Sequence, residues 1–262
     1  MNRILILLCL ALLSLFGCKD DEKRVLTLDC LSNNLQNGII AFYPFSNGSL
    51  IDESGNNYNL TNPSGALPTM DRDGNTDCAY QFFNSQTNDD FLTTTNTSFL
   101  NNLDEFSVSI WYEPLDSNRL EGIYETLLSR DLGLQCPDRY GQWSVGLYDC
   151  RRVVFSHGNS VRADNVTNLT DGCIGEVYAL TQKWHHVVAV KNNDTYKLYF
   201  NGNLEETVTG PANCGNNNTV QDIGDLFIGK LFIGRMDDIL IYDRELSPTE
   251  VTDLMNLESC CE

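Results

Sequence analysis

Short strand-forming runs, separated by stretches rich in Asn, Thr, Gly and Asp, recur along almost the whole chain and leave little room for helices. Gly38 to Phe45, Ala79 to Phe83 and Phe91 to Thr94 are the first three. Phe106 to Tyr112 alternates cleanly, with Phe106, Val108 and Ile110 on one side and Ser107 and Ser109 on the other, as one strand between core and a second surface would. Thr126 to Arg130, Gln142 to Tyr148 and Arg151 to Ser156 follow. Trp184 to Lys191 is apolar on both faces, which predicts a central strand covered on both sides. Tyr196 to Phe200 and Leu204 to Val208 flank Asn201-Gly202, the strongest two-residue hairpin signal because both turn residues need positive φ. Leu231 to Gly234 and Met236 to Tyr242 close the series. One helix start is well marked. Ser247 is placed to cap, Pro248 to open the first turn and Glu250 to complete a capping box, with Val251 and Leu254 on the apolar side. A weaker helix is expected over Leu28 to Leu35. Many short strands with one terminal helix predict an all-β sandwich or barrel.

Charge narrows the partners. Asp and Glu number 36 against 17 Lys and Arg, for a net charge of −19. A field of that sign repels nucleic acid and anionic lipid headgroups, so neither is an expected partner.

The N-terminus points to export. Met1 to Arg3 is short and basic, and Ile4 to Phe16 is apolar but shorter than the roughly 20 residues that span a bilayer. Leu15-Phe16-Gly17-Cys18 resembles a bacterial lipobox, which implies a signal peptide over residues 1–17, diacylglycerol on the Cys18 sulfur, and a tether over residues 18–36. Several acyl chains on one Cys hold a protein at a membrane with no other membrane-binding surface, each buried methylene contributing about 0.8 kcal/mol. Lys19-Asp20-Asp21-Glu22 is similar to the Bacteroidetes lipoprotein export signal, which implies the outer face of the outer membrane, the cell surface. The mature chain is expected to contain no transmembrane helix and to meet the membrane through its anchor alone.

Cysteine usage agrees with an oxidising compartment. Beyond Cys9 and Cys18, eight remain: Cys30, Cys78, Cys136, Cys150, Cys173, Cys214, Cys260 and Cys261. An even count in an exported chain reads as up to four disulfides, and paired C-x-x-C spacing for zinc is missing. Cys136 and Cys150 flank a strand-and-turn segment, and a bridge closing a loop of about 15 residues would contribute about 3 kcal/mol. Cys173 with Cys214 is a second candidate, and Cys260 and Cys261 are candidates to tie the C-terminus to Cys30 or Cys78.

Several segments together resemble a bacterial laminin-G-like domain of the concanavalin A-like lectin/glucanase type. They are, in order, Ile40 to Phe45, Asp52-Glu53-Ser54-Gly55-Asn56, Asp71-Arg72-Asp73-Gly74-Asn75, Ala79 to Phe82, Phe106 to Trp111, Trp184-His185-His186-Val187-Val188, Leu198 to Gly202, and Ile233 to Ser247. The long loops between Glu113 and Trp184, with Cys136, Cys150 and Cys173, lie outside that pattern. The resemblance implies a jelly-roll sandwich of two antiparallel sheets over residues 37–262, with a short C-terminal helix, and with the first and last strands paired so that Phe42 and Phe45 lie near Ile239 and Ile241. It also implies calcium near the junction of the ends. Side-chain ligands would be Asp52 and Asp237 or Asp238, with a carbonyl oxygen near Asn57, matching the oxygen ligands calcium takes. The competing role for Asp52 is to cap its own turn.

The same fold houses glycoside hydrolases, but no strand carries the alternating acids that place two carboxylates about 5 Å apart. Glu121 and Glu125 fall in a predicted loop, and Asp237 and Asp238, being adjacent, would face opposite sides of a strand. A Gly-x-Ser-x-Gly nucleophile motif is missing too, and His185 and His186 belong to the strand motif. The expectation is a non-catalytic binding domain. Its ligand would be a carbohydrate, held on an aromatic platform drawn from Tyr124, Tyr140, Trp143 and Tyr148, or alternatively a cell-surface protein.

Overall fold

The computed structural model describes residues 27–85, 89–101, 103–115, 124–131, 143–148, 151–157, 161–164, 182–210 and 224–261. Residues 1–17, Cys18, Lys19 to Glu22, Glu121, Tyr140, Cys136, Cys150, Cys173 and Cys214 lie outside them.

The strands are β1 (Ile39–Tyr43), β2 (Leu67–Thr69), β3 (Ala79–Phe82), β4 (Leu92–Thr94), β5 (Glu105–Pro114), β6 (Tyr124–Asp131) and β7 (Trp143–Tyr148). They continue with β8 (Arg152–His157), β9 (Val161–Asp164), β10 (His185–Asn192), β11 (Thr195–Phe200), β12 (Asn203–Thr209), β13 (Asp225–Ile228) and β14 (Gly234–Tyr242). They form two antiparallel sheets. The eight-stranded sheet runs β12-β11-β10-β5-β14-β3-β2, with β1 also on β14, and the six-stranded sheet runs β4-β13-β6-β7-β8-β9. β14 organises the first sheet. Its whole length lies along β5, while β3 takes Gly234 to Met236 and β1 takes Ile239 to Tyr242 on the opposite edge.

The sheets close on one apolar core. Phe106, Val108, Ile110, Val187, Ala189, Ile239 and Ile241 come from the first, and Leu128, Val145, Leu147, Val153 and Phe155 from the second. Phe45 joins Ile239 and Ile241 there, whereas Phe42 points the other way beside Leu240. That second direction is covered too. Leu31 and Leu35 from the N-terminal segment, and Val251 and Leu254 from the helix Pro248–Met255, pack on Phe42, Val188, Val190, Tyr199, Leu240 and Tyr242. The helix begins where the sequence predicts: Ser247 Oγ accepts the Glu250 N–H, and Glu250 Oε2 accepts the Ser247 N–H at 2.8 Å. Disulfides Cys30–Cys260 and Cys78–Cys261, each with Cα atoms 5.6 Å apart, fasten the C-terminus to two earlier segments.

Asn201 and Gly202 turn the β11–β12 hairpin with φ of 47° and 79°. The N-terminal helix divides into a 3-10 turn at Thr27–Cys30 and a short helix at Asn33–Gln36. Leu231 to Gly234 is not a strand. Leu231 takes φ 62° and the Phe232 N–H donates to Gly229 O at 3.0 Å, so the chain turns there before β14 begins. β13 lies just upstream instead, with Leu226 and Ile228 buried in alternation.

Candidate functional site

The outer face of the eight-stranded sheet changes character at a bulge in β14. Asp237 pairs with Trp111 and Leu240 with Ser109, so three steps on β14 oppose two on β5. Asp238 takes φ 41°, a left-handed conformation that an Asp tolerates better than most residues. Met236 and Ile239 therefore both face the core, and Asp237 and Asp238 both turn outward to Arg72. The guanidinium forks across them: Nη1 donates to Asp237 Oδ2, and Nη2 lies 2.8 Å from Asp238 Oδ2. Nη2 also donates to Leu257 O at 3.2 Å. Burial and the neighbouring Asp238 push the Asp237 carboxyl well above its ordinary pKa, against the pull of Arg72. Burial raises Asp238 as well, opposed by Arg72 and by the Cys260 N–H, which donates to its Oδ2 at 3.1 Å.

Arg72 is held by its own turn. Asp71 Oδ1 accepts the N–H groups of Asp73 at 2.9 Å and Asn75 at 2.8 Å. Its Oδ2 accepts the Ser259 hydroxyl at 2.7 Å, and Asp73 Oδ2 accepts the Ser259 N–H at 2.6 Å. Burial opposes ionisation of Asp71, but the bonds from Ser259, Asn75 and Asp73 outweigh it and hold its pKa below the usual value. Residues 71–73 thus grip Leu257 and Ser259 through backbone and side chain together.

Where this latch meets β5 and β10 an open groove of about 360 Å³ remains, lined by Arg72, Asp73, Trp111, Trp184, Met255 and the segment 256–258. Trp111 is buried, with the Arg72 guanidinium 4.7 Å from its ring centroid and the His186 ring at 5.0 Å. His186 Nε2 lies 2.8 Å from Ser109 Oγ. Burial, reinforced by Arg72, lowers the His186 pKa to about 3, so the ring is neutral. Trp184 is half-buried, and Asp73, Asn256 and Glu258 are exposed at the rim. Arg72 is already matched by two carboxylates, so the rim charge is acidic.

A family model described as the concanavalin A-like lectin/glucanases superfamily, a laminin-G type, matches residues 86–252. The chain belongs to this superfamily. Solved structures share its fold. The binding domain of Paraclostridial Mosquitocidal Protein 1 is 17% identical with a TM-score of 0.63, over 85% of this chain and 52% of that one. Botulinum neurotoxin type C, described as dependent on two ganglioside molecules to get into cells, is 18% identical with a TM-score of 0.64 over the same shares. The binding domain of botulinum neurotoxin DC, in complex with rat synaptotagmin II, is 17% identical with a TM-score of 0.62, again covering 52% of that chain. The chain spans about half the length of these structures. No curated protein sequence matches it.

In this concanavalin A-like domain the described aromatic residues expected to form a platform do not share one exposed surface. Trp143 is 2% exposed, with the Phe106 ring 5.0 Å from it in the sandwich core. Tyr124 is buried over Gly146, where a Cβ would meet its ring at 2.6 Å, and its hydroxyl donates to Ser144 Oγ at 2.8 Å. The β7 alternation turns Trp143, with Val145 and Leu147, into the core, which is a correction to the expected platform, whereas Tyr124 lies on the opposite face of that sheet with Ser144, Gly146 and Tyr148, its ring 6.4 Å from that of Tyr148. Tyr148, at the end of β7, is half-buried. Glu125 is in β6, not a loop, and its carboxylate lies 3.3 Å from Arg151 Nε.

The calcium ligand set expected from the resemblance does not fit this geometry. Asp52 Oδ1 accepts the N–H groups of Phe42 and Ser54, each at 3.0 Å, and Oδ2 accepts that of Tyr58 at 3.0 Å. Asp52 is therefore the cap of its own loop. Asn57 is exposed at φ 63°, its Nδ2 donating to Gly55 O at 3.4 Å. Asp237 and Asp238 are given to Arg72. The residues that do converge, Arg72, Trp111 and Trp184, all stand in the motifs that carry the resemblance, where they read as scaffold. No short-range pattern announces that Arg72 and Trp111 meet across 39 residues of sequence.

Proposed function

We propose that this chain is a lipid-anchored, non-catalytic carbohydrate-binding module of the bacterial cell surface, with the groove beside Trp184 as its contact. The observation that carries the reading is a groove lined by the half-buried Trp184, by Trp111, Met255 and Leu257, and by the polar residues Asn256, Asp73 and Glu258. Sugar rings present apolar C–H faces to an aromatic surface and hydroxyls to amides and carboxylates around it. Ligand sites are concave and mostly apolar, with a few placed polar groups. Superfamily membership and likeness to toxin binding domains support a binding role. Among the described residues that line the groove, the cation Arg72 is paired with Asp237 and Asp238, and the acids Asp73 and Glu258 favour neutral sugars over acidic ones.

A glycan array probed with the soluble fragment from Asp20 onward tests this. Neutral-glycan hits that disappear with Trp184→Ala support it, and an array with no hits refutes it. A protein partner, the kind seen with the botulinum DC domain and synaptotagmin II, would instead appear as a pull-down product with an empty array. Loss of membrane-bound, protease-accessible protein on Cys18→Ser tests the anchor and its outer-surface placement.

A further inference from the structure

The acidic pair of β14 carries a cation supplied by the chain itself. We propose that Arg72 is the resident cation of the Asp237/Asp238 site, in the role that the family resemblance gives to calcium, and that the latch and the groove it lines are consequently calcium-independent.

Three observations lead there. First, the bulge at Asp238 turns both carboxylates to one side of β14, as ligands of a single cation must be. The cation found there is a guanidinium, with the Arg72, Asp237 and Asp238 side chains only 6%, 0% and 2% exposed. Arginine stays charged at any relevant pH and its planar fork matches two carboxylate oxygens, so it serves here without the six to eight oxygen ligands that calcium takes. Second, the guanidinium contacts one oxygen of each Asp and the Leu257 carbonyl together. A divalent ion drawn to those same oxygens would sit against a fixed positive charge, which Coulomb repulsion in a buried site forbids. Third, among the described residues Asp237 Oδ1 and Asp238 Oδ1 have no hydrogen-bond partner. The site holds more acceptor oxygens than Arg72 engages. With the guanidinium removed, Oδ2 of each Asp and the Leu257 carbonyl would face the vacated buried space, oxygen donors of the hard type calcium prefers, with the unpaired Oδ1 of each carboxylate in reserve.

Arg72 is thus a positioning residue for the groove: it packs on Trp111, ties Leu257 and neutralises the bulge without itself being required to touch a ligand. The inference stands apart from the carbohydrate reading, because it concerns metal dependence and not ligand identity.

The test compares the soluble wild-type fragment with Arg72→Ala, Arg72→Lys and the Arg72→Ala/Asp238→Asn double variant, each melted in EDTA and in millimolar calcium. The wild type and Arg72→Lys should melt at the same temperature in both. Arg72→Ala should melt several degrees lower in EDTA, recover on calcium addition and bind calcium calorimetrically. The double variant should lose that rescue, which a merely structural contact would not generate in the first place. A wild-type melting temperature that rises with calcium overturns the proposal, as does a folded Arg72→Ala that ignores calcium. Should Arg72→Ala fail to fold, Arg72→Gln carries the gain-of-metal arm, and the wild-type comparison decides on its own.

Discussion

The inner face of the eight-stranded sheet presents Val108, Ile110, Val187, Ala189, Ile239 and Ile241, an apolar surface with one slip in alternation at the β14 bulge, whereas its outer face is divided in two. Half of that outer face is apolar and lies under the terminal segments. The other half carries Ser109, His186, Trp111, Asp237, Asp238 and Arg72, all linked by polar or ring contacts. Pairing with the second sheet asks only for shape and apolar area, since the hydrophobic effect is non-directional. A buried polar layer asks for every charge and donor to be placed, since an uncompensated one is costly. The polar half is therefore where the fold departs from regular alternation, and the open groove lies at its margin.

Substitutions should separate the two faces. Phe155→Ala, in the core between the sheets, should cost about 3–5 kcal/mol by chemical denaturation, with the midpoint falling and no response to calcium. Arg72→Ala should cost about 3 kcal/mol in EDTA, because it leaves two buried carboxylates without their cation. If calcium restores neither this variant nor its groove, the outer face is merely a second core and the contrast fails.

Acid should strike the polar groups before the apolar ones. His157 and His186 are lowered to about 3, chiefly by burial, with Lys191 and Arg72 respectively adding to it. Between about pH 6.5 and pH 3 the unfolded chain binds protons that the folded chain refuses. Stability is thus complete above that window and falls as pH drops through it, by up to about 1.4 kcal/mol per pH unit for each His. Denaturation midpoints measured from pH 8 to pH 4 should show that slope, and His186→Asn should reduce it. The smallest effect belongs to the terminal layer: Ser247→Ala removes a helix cap and should cost about 1 kcal/mol without disturbing the groove.

Much of the inner face was legible in advance because period-two alternation is a local property. Phe106 to Tyr112 declares its sides in seven residues, and Asn201-Gly202 declares a turn in two. The helix start at Ser247 is equally local. The site was not legible in the same way. A bulge moves one residue, and in doing so it reverses the expected opposition of Asp237 and Asp238. Nothing near Asp238 in the sequence marks its left-handed backbone, and Arg72 comes from 165 residues away. Trp143 illustrates the opposite difficulty: an aromatic near variable loops looks available until the partner strands show that it fills the core.

The most direct measurement is isothermal titration of the best neutral glycan from the array into wild type and Trp184→Ala, with melting temperatures as a folding control. The account predicts that Trp184→Ala melts like wild type yet binds at least about tenfold more weakly, a loss of about 1.4 kcal/mol. Undiminished affinity in a folded Trp184→Ala would contradict it.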